Sequence, residues 1–81
     1  MQTVTMGRIV IHLYATLRQL EPILETACQL THTKTIDKLL HELGLLEKEA
    51  VIVIVNGKRA ELETVLLDGD RVSLFPLLGG G

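Results

Sequence analysis

The sequence predicts an α+β domain: a mixed sheet of four to five strands with one main helix packed on one face. Three observations carry this. Ile36, Leu39, Leu40 and Leu43 recur at i, i+3, i+4 and i+7, the spacing of one buried helical stripe. Val51, Ile52, Val53, Ile54 and Val55 form a β-branched run closed by Asn56-Gly57, the strongest short hairpin signal. Two further strand-like segments, RIVIHLY at residues 8–14 and RVSLF at residues 71–75, lie near the two ends of the chain.

Taken in order, residues 1–7 form a polar N-terminal lead. In residues 8–14, Ile9, Ile11 and Leu13 fall on one face and Val10, His12 and Tyr14 on the other. Residues 15–20 allow a single helical turn before Pro22. Residues 23–30 alternate weakly, Leu24, Cys28 and Leu30 against Glu25 and Gln29, and read as a second strand. Thr35 can cap the main helix by accepting a first-turn N–H. Asp37 then places negative charge where the helix dipole favours it, and Gly44 suits a left-handed stop. The hairpin returns at Lys58, residues 62–67 make an irregular or short helical crossover, and Asp68-Gly69-Asp70 is a turn into the last strand. The expected organisation is a lead at 1–7, a folded domain at 8–75 and a flexible tail at 76–81. The order of strands around a lone helix is that of a β-grasp, the ubiquitin-like arrangement.

Composition removes several functions. A net charge of −2 gives no basic surface for nucleic acid, and Tyr14 and Phe75 as the only aromatic residues give no base-stacking platform. The run at residues 51–55 is far shorter than the roughly 20 residues that span a bilayer. The start of the chain reads as no signal peptide, since His12 breaks its apolar part and no basic leader precedes it. A single cysteine, Cys28, fits a reducing, cytoplasmic compartment. His12, His32 and His41 lack metal-ligand spacing, so no metal site is expected. No acid, base and nucleophile converge, so no catalytic residue is assigned and no bound cofactor is expected.

One helix covers one face of a sheet, so half of each central strand points away from it. Val53, Val55, Val72 and Leu74 are assigned inward, and Ile52, Ile54 and Phe75 outward. An outward apolar patch on a small protein suits a partner interface, which Pro76, Leu77 and Leu78 would extend. Lys58 and Arg59 could steer an acidic partner, but a solvated turn is the safer reading.

After Phe75 the chain runs Pro76-Leu77-Leu78-Gly79-Gly80-Gly81. Pro76 should end the pairing. Six residues can reach about 20 Å, and Gly79 and Gly80, without Cβ atoms, give clearance in a narrow channel. The Gly81 carboxylate is ionised at neutral pH; it can attack the α-phosphate of ATP and become an acyl adenylate open to a nucleophile. Taken alone, three glycines are also what a flexible tail, an engineering scar or a truncated linker looks like.

Several stretches together resemble the MoaD/ThiS family of ubiquitin-like sulfur carriers: LYATLRQL (13–20), TIDKLLHELG (35–44), VIVNGK (53–58), LLDGDRVSLFP (66–76) and the glycine end. LYATLR and the FP before the tail are closer to MoaD, the small subunit of molybdopterin synthase. The short helix-to-strand link and the triple glycine are closer to ThiS. MoaD tails usually carry two glycines, so Leu77-Leu78-Gly79 departs from their pattern. The resemblance implies a carrier that is a cosubstrate and not an enzyme. A ubiquitin-activating-type adenylating enzyme, which uses the ATP, would activate Gly81. A sulfur donor would convert it to a thiocarboxylate, and a synthase would take the sulfur: molybdopterin synthase's large subunit first, thiazole synthase second. The alternatives are a protein modifier joined through Gly81 to target lysines, and a plain binding module.

Overall fold

The computed structural model describes residues 7–77. Its strands are β1 (Gly7–Arg8), β2 (Val10–Leu13), β3 (Gln29–Leu30), β4 (Val51–Val55), β5 (Lys58–Arg59) and β6 (Arg71–Pro76). Its helices are α1 (Leu24–Ala27) and α2 (Ile36–Glu42), with 3-10 turns at Ala15–Ile23 and Lys48–Ala50. β1 pairs antiparallel with β3, and the other four strands form a sheet in the order β2-β6-β4-β5. β2 runs parallel to β6, while β4 is antiparallel to both β6 and β5. Ile9 joins the two ladders: its N–H donates to the Cys28 carbonyl at 2.9 Å and the next, from Val10, to the Asp70 carbonyl at 2.9 Å. The N-terminal strand β2 and the C-terminal strand β6 thus lie side by side, with α2 in the connection. This is the expected β-grasp.

The expected stripe builds the core. Ile36, Leu39 and Leu40 are fully buried against Ile9, Ile11, Val53, Val72 and Leu74 of the sheet. Burial of each such side chain contributes up to about 1.5–3 kcal/mol. The start of α2 leaves no N–H donor orphaned. Ile36 donates to the Thr64 carbonyl and Asp37 to that of Leu62, both at 2.9 Å. Lys38 N–H donates to Thr35 Oγ1 at 3.2 Å, the expected cap. The irregular crossover therefore also closes the helix start. Gly44 stops the helix at φ +77°, and Asn56 and Gly57 take φ +52° and +85°, as a type I′ hairpin requires.

Two expectations are corrected. Residues 23–30 are not a strand: Ile23 closes the 3-10 turns, Leu24–Ala27 is a helical turn, and only Gln29–Leu30 pairs. The physical signal is a second helical stripe, Leu17, Leu20, Leu24 and Ala27, at steps of three and four, all packed on the core. Pro22 does not interrupt it, because it lies inside 3-10 turns, just ahead of the α-helical hydrogen bonding. The last strand also runs one residue further than expected. Pro76 stays in register opposite Val51, and Leu77 N–H donates to the Ala50 carbonyl at 2.7 Å. A terminal strand position asks little of the missing proline N–H.

Candidate functional site: the outer sheet face and the root of the tail

Register assigns every strand residue to a face. Val53, Val72 and Leu74 are buried beneath α2, and Val55 packs at the margin of that core. Ile52 stands opposite Phe75, and Ile54 opposite Ser73, on the other side. His12 stands opposite Ser73 from the parallel strand. The outer face is therefore tiled in rows. One row carries Tyr14, Phe75 and Ile52, the next His12, Ser73, Ile54 and Arg59, and the third Val10, Arg71 and Asn56. Ile52, Ile54 and Phe75 are half-buried and Tyr14 is exposed.

The first row is aromatic and apolar. The Tyr14 and Phe75 rings stack with centroids 4.2 Å apart and planes 13° apart. A stacked pair of this kind holds both rings in place more firmly than burial alone. Tyr14 was not singled out for the interface in the sequence. Its signal is parity, since it shares a face with Val10 and His12 and ends the strand parallel to Phe75. Ala15, at φ +54°, turns the chain sharply after it.

The proposed interface residues do not all come together. Ile52, Ile54 and Phe75 share the outer face. Pro76 does not: opposite Val51 it falls on the side of Leu74, and it is half-buried there. Leu77 is 52% exposed at the root of the tail. Leu78, Gly79, Gly80 and Gly81 lie outside the described residues. Lys58 and Arg59 also part, because Lys58 pairs with the inward Val55 and Arg59 with the outward Ile54.

Other candidates resolve into structural roles. Asp68 Oδ1 accepts from Arg8 N–H at 2.8 Å. Asp70 accepts from Asn56 Nδ2 and Leu67 N–H at 2.9 and 2.8 Å, so both carboxylates serve the turn. Cys28 is half-buried at the edge of the core. Among the described residues no group of three or more His, Cys, Asp or Glu lies close enough to hold a metal ion. No helix among them is long and apolar enough to cross a membrane. A cavity of about 580 Å³ lies away from the outer face, between Pro22, Ile23, His32, Lys34 and Glu42. Lys34 at its wall has its three donors engaged, so it offers no free charge there.

Comparison with known proteins agrees with this geometry. The ThiS family model matches residues 11–81, from β2 through the last strand to the glycines. The crystal structure of SAMP1 from Haloferax volcanii superposes with a TM-score of 0.59 at 22% identity, covering 93% of this chain and 100% of that one. That likeness concerns the fold. No curated protein matches the chain at a significant level. On the family match, the chain belongs to the ThiS family, and with that family goes the coarse role of a small sulfur-carrier or ubiquitin-like protein.

Proposed function

We propose that the chain is a sulfur carrier whose reactive group is the Gly81 carboxylate. The family match reaching through β6 into Gly79, Gly80 and Gly81 carries this reading. A carboxylate oxygen of Gly81 attacks the α-phosphorus of ATP on an adenylating enzyme, and pyrophosphate leaves. Hydrosulfide supplied by a sulfur donor then attacks the carbonyl carbon, and AMP leaves with the bonding pair, giving a thiocarboxylate. A synthase accepts the tail and takes the sulfur while water returns the Gly81 carbonyl to a carboxylate, with molybdopterin as the favoured product and the thiamin thiazole second.

The body of the protein supplies recognition. Ordering a glycine tail costs roughly 1–2 kcal/mol per residue. The offset comes from docking Ile52, Ile54, Phe75 and the neighbouring Tyr14, together with Leu77 and Leu78. β6 runs from the centre of the sheet to this patch and releases the tail beside it. Gly79 and Gly80 then pass the partner's channel without side chains.

The test is mass spectrometry after incubation with the cognate adenylating enzyme, ATP and a sulfide source. Exchange of oxygen for sulfur adds about 16 Da, as acyl substitution requires. The chain lacking Gly80 and Gly81 should fold and dock but gain no mass. Covalent ladders on target lysines that resist reducing agent, without the mass gain, would replace the carrier by a protein modifier.

A further inference from the structure

The sheet register gathers charge that the chain order keeps apart. Arg59 stands in the row of His12, Ser73 and Ile54, and Arg71 one row away opposite Val10. His12, Arg59 and Arg71 are all exposed. Among the described residues neither arginine forms an ion pair. Among the described residues no carboxylate occupies a paired position on this face; Asp70 borders its third row, where its carboxylate accepts from Asn56 Nδ2 and Leu67 N–H. The chain as a whole is acidic, at −2, so two arginines against one bordering carboxylate set this half-face apart from the body. The Arg71 backbone is held in place, since its N–H donates to Asn56 Oδ1 at 2.9 Å and Asn56 N–H donates to its carbonyl at 2.8 Å. A shallow cleft of about 300 Å³ lies between His12, Ile54, Gly57, Arg71 and Ser73.

We propose that this half-face docks an acidic surface on the adenylating enzyme, with carboxylates facing Arg59 and Arg71 beside an apolar socket for Tyr14, Phe75 and Ile52. The inference rests on the carrier reading and adds the chemistry of the partner. The neighbouring row favours a protein over a small anion. Two strand spacings and one row separate the arginines, roughly 12 Å between backbones at ordinary sheet dimensions. The charged rows adjoin the apolar row of Tyr14, Phe75 and Ile52, which a small anion would leave uncovered. Charges placed around an apolar contact steer encounter and fix orientation. Here the orientation matters, because the tail must enter its channel from one end of the face.

The test separates docking from chemistry. Binding of the adenylating enzyme is titrated without ATP at about 0.01 M and about 0.15 M salt, between which the screening length falls from roughly 30 to 8 Å. Pyrophosphate release is then followed with ATP. The unaltered chain should bind several-fold more weakly at the higher salt. Arg59→Glu with Arg71→Glu should weaken low-salt binding about tenfold or more, erase the salt response, and leave kcat at saturation within about twofold. Lys38→Glu with Lys58→Glu makes the same net charge change with neither residue on the outer rows, and at about 0.15 M salt it should weaken binding several-fold less than the arginine reversal. Melting followed by circular dichroism checks folding, and Arg59→Gln with Arg71→Gln replaces the reversal if that variant unfolds. Equal behaviour of the two charge pairs, or binding indifferent to salt, overturns the proposal. Binding without adenylation overturns the carrier reading while the same affinities still judge the docking. No binding overturns both. Self-association abolished by the arginine reversal would assign the face to a second copy and overturn the proposal as well.

Discussion

The ammonium of Lys34 sits among three acceptors: the Ala27 carbonyl at 3.1 Å, the Gln29 carbonyl at 3.3 Å and Glu42 Oε1 at 2.8 Å. The side chain is 2% exposed, its partner Glu42 29%. One residue therefore ties the end of α1, the start of β3 and the last turn of α2. Lys34→Met would fill similar space and leave those acceptors without a donor. An unfolding titration in urea should show a loss of about 2–3 kcal/mol, since buried acceptors without donors carry their desolvation cost. Adding Glu42→Leu should recover only the part due to the carboxylate, because the two carbonyls remain orphaned. Full recovery would mean that the ion pair alone mattered. Nothing local in the sequence marks this lysine. It lies among threonines in a segment that reads as a solvated loop, and its partners are set by how α1 and α2 pack. Thr35, one residue on, was legible because a cap needs only its own helix.

At the scale of elements, legibility follows the same division between local and distant causes. The α2 stripe, the Asn56-Gly57 turn and the alternation in β2, β4 and β6 arise within a few residues, and the structure follows them. β3 is different. Its two-residue ladder with β1 exists because the turn after the crossover clamps β1 in place. Asp68 Oδ1 accepts from Arg8 N–H, and Gly69 N–H donates to the Arg8 carbonyl at 2.8 Å. The approach is close enough to require glycine at position 7, where an added Cβ would meet Asp68 Cβ and Oδ1 at 2.6 Å. Gly7→Ala must push Asp68 away and lose its hydrogen bond. The expected cost is about 1–3 kcal/mol, in the range of an overpacked contact. Hydrogen exchange should quicken at the Arg8 and Gly69 amides before the α2 amides respond, because only the clamp is disturbed. Uniform quickening would show that β1 and the clamp are part of the global unfolding unit. The helical stripe over Leu17, Leu20, Leu24 and Ala27 was legible in principle. Reading the window from Ile23 onward, past Pro22, hid half of it.

Across the whole molecule, the proposed docking gives the two faces of the sheet separate tasks, stability and recognition. The inner face is closed by α2 and holds the core, while the outer face carries the stacked rings, the half-buried isoleucines and the exposed arginines. The last strand belongs to both, since alternation sends Leu74 in and Phe75 out. Neighbours in sequence should therefore fail in opposite ways. Leu74→Ala removes a fully buried side chain and should cost about 2–5 kcal/mol, enough to unfold much of a domain this small. Phe75→Ala loses the stack on Tyr14 and part of a half-buried ring, about 1–1.5 kcal/mol, so the domain stays folded. Its affinity for the adenylating enzyme should nonetheless fall about 30-fold, as truncating an aromatic anchor costs about 2 kcal/mol at an interface. Urea midpoints and calorimetric titration on the same two variants check both halves. If Phe75→Ala bound normally, the outer face would not be the docking surface, and the tail alone would have to account for recognition. That alternative asks flexible glycines to supply affinity they lose in being ordered, which is why the stacked rings at the root of the tail are the first place to cut.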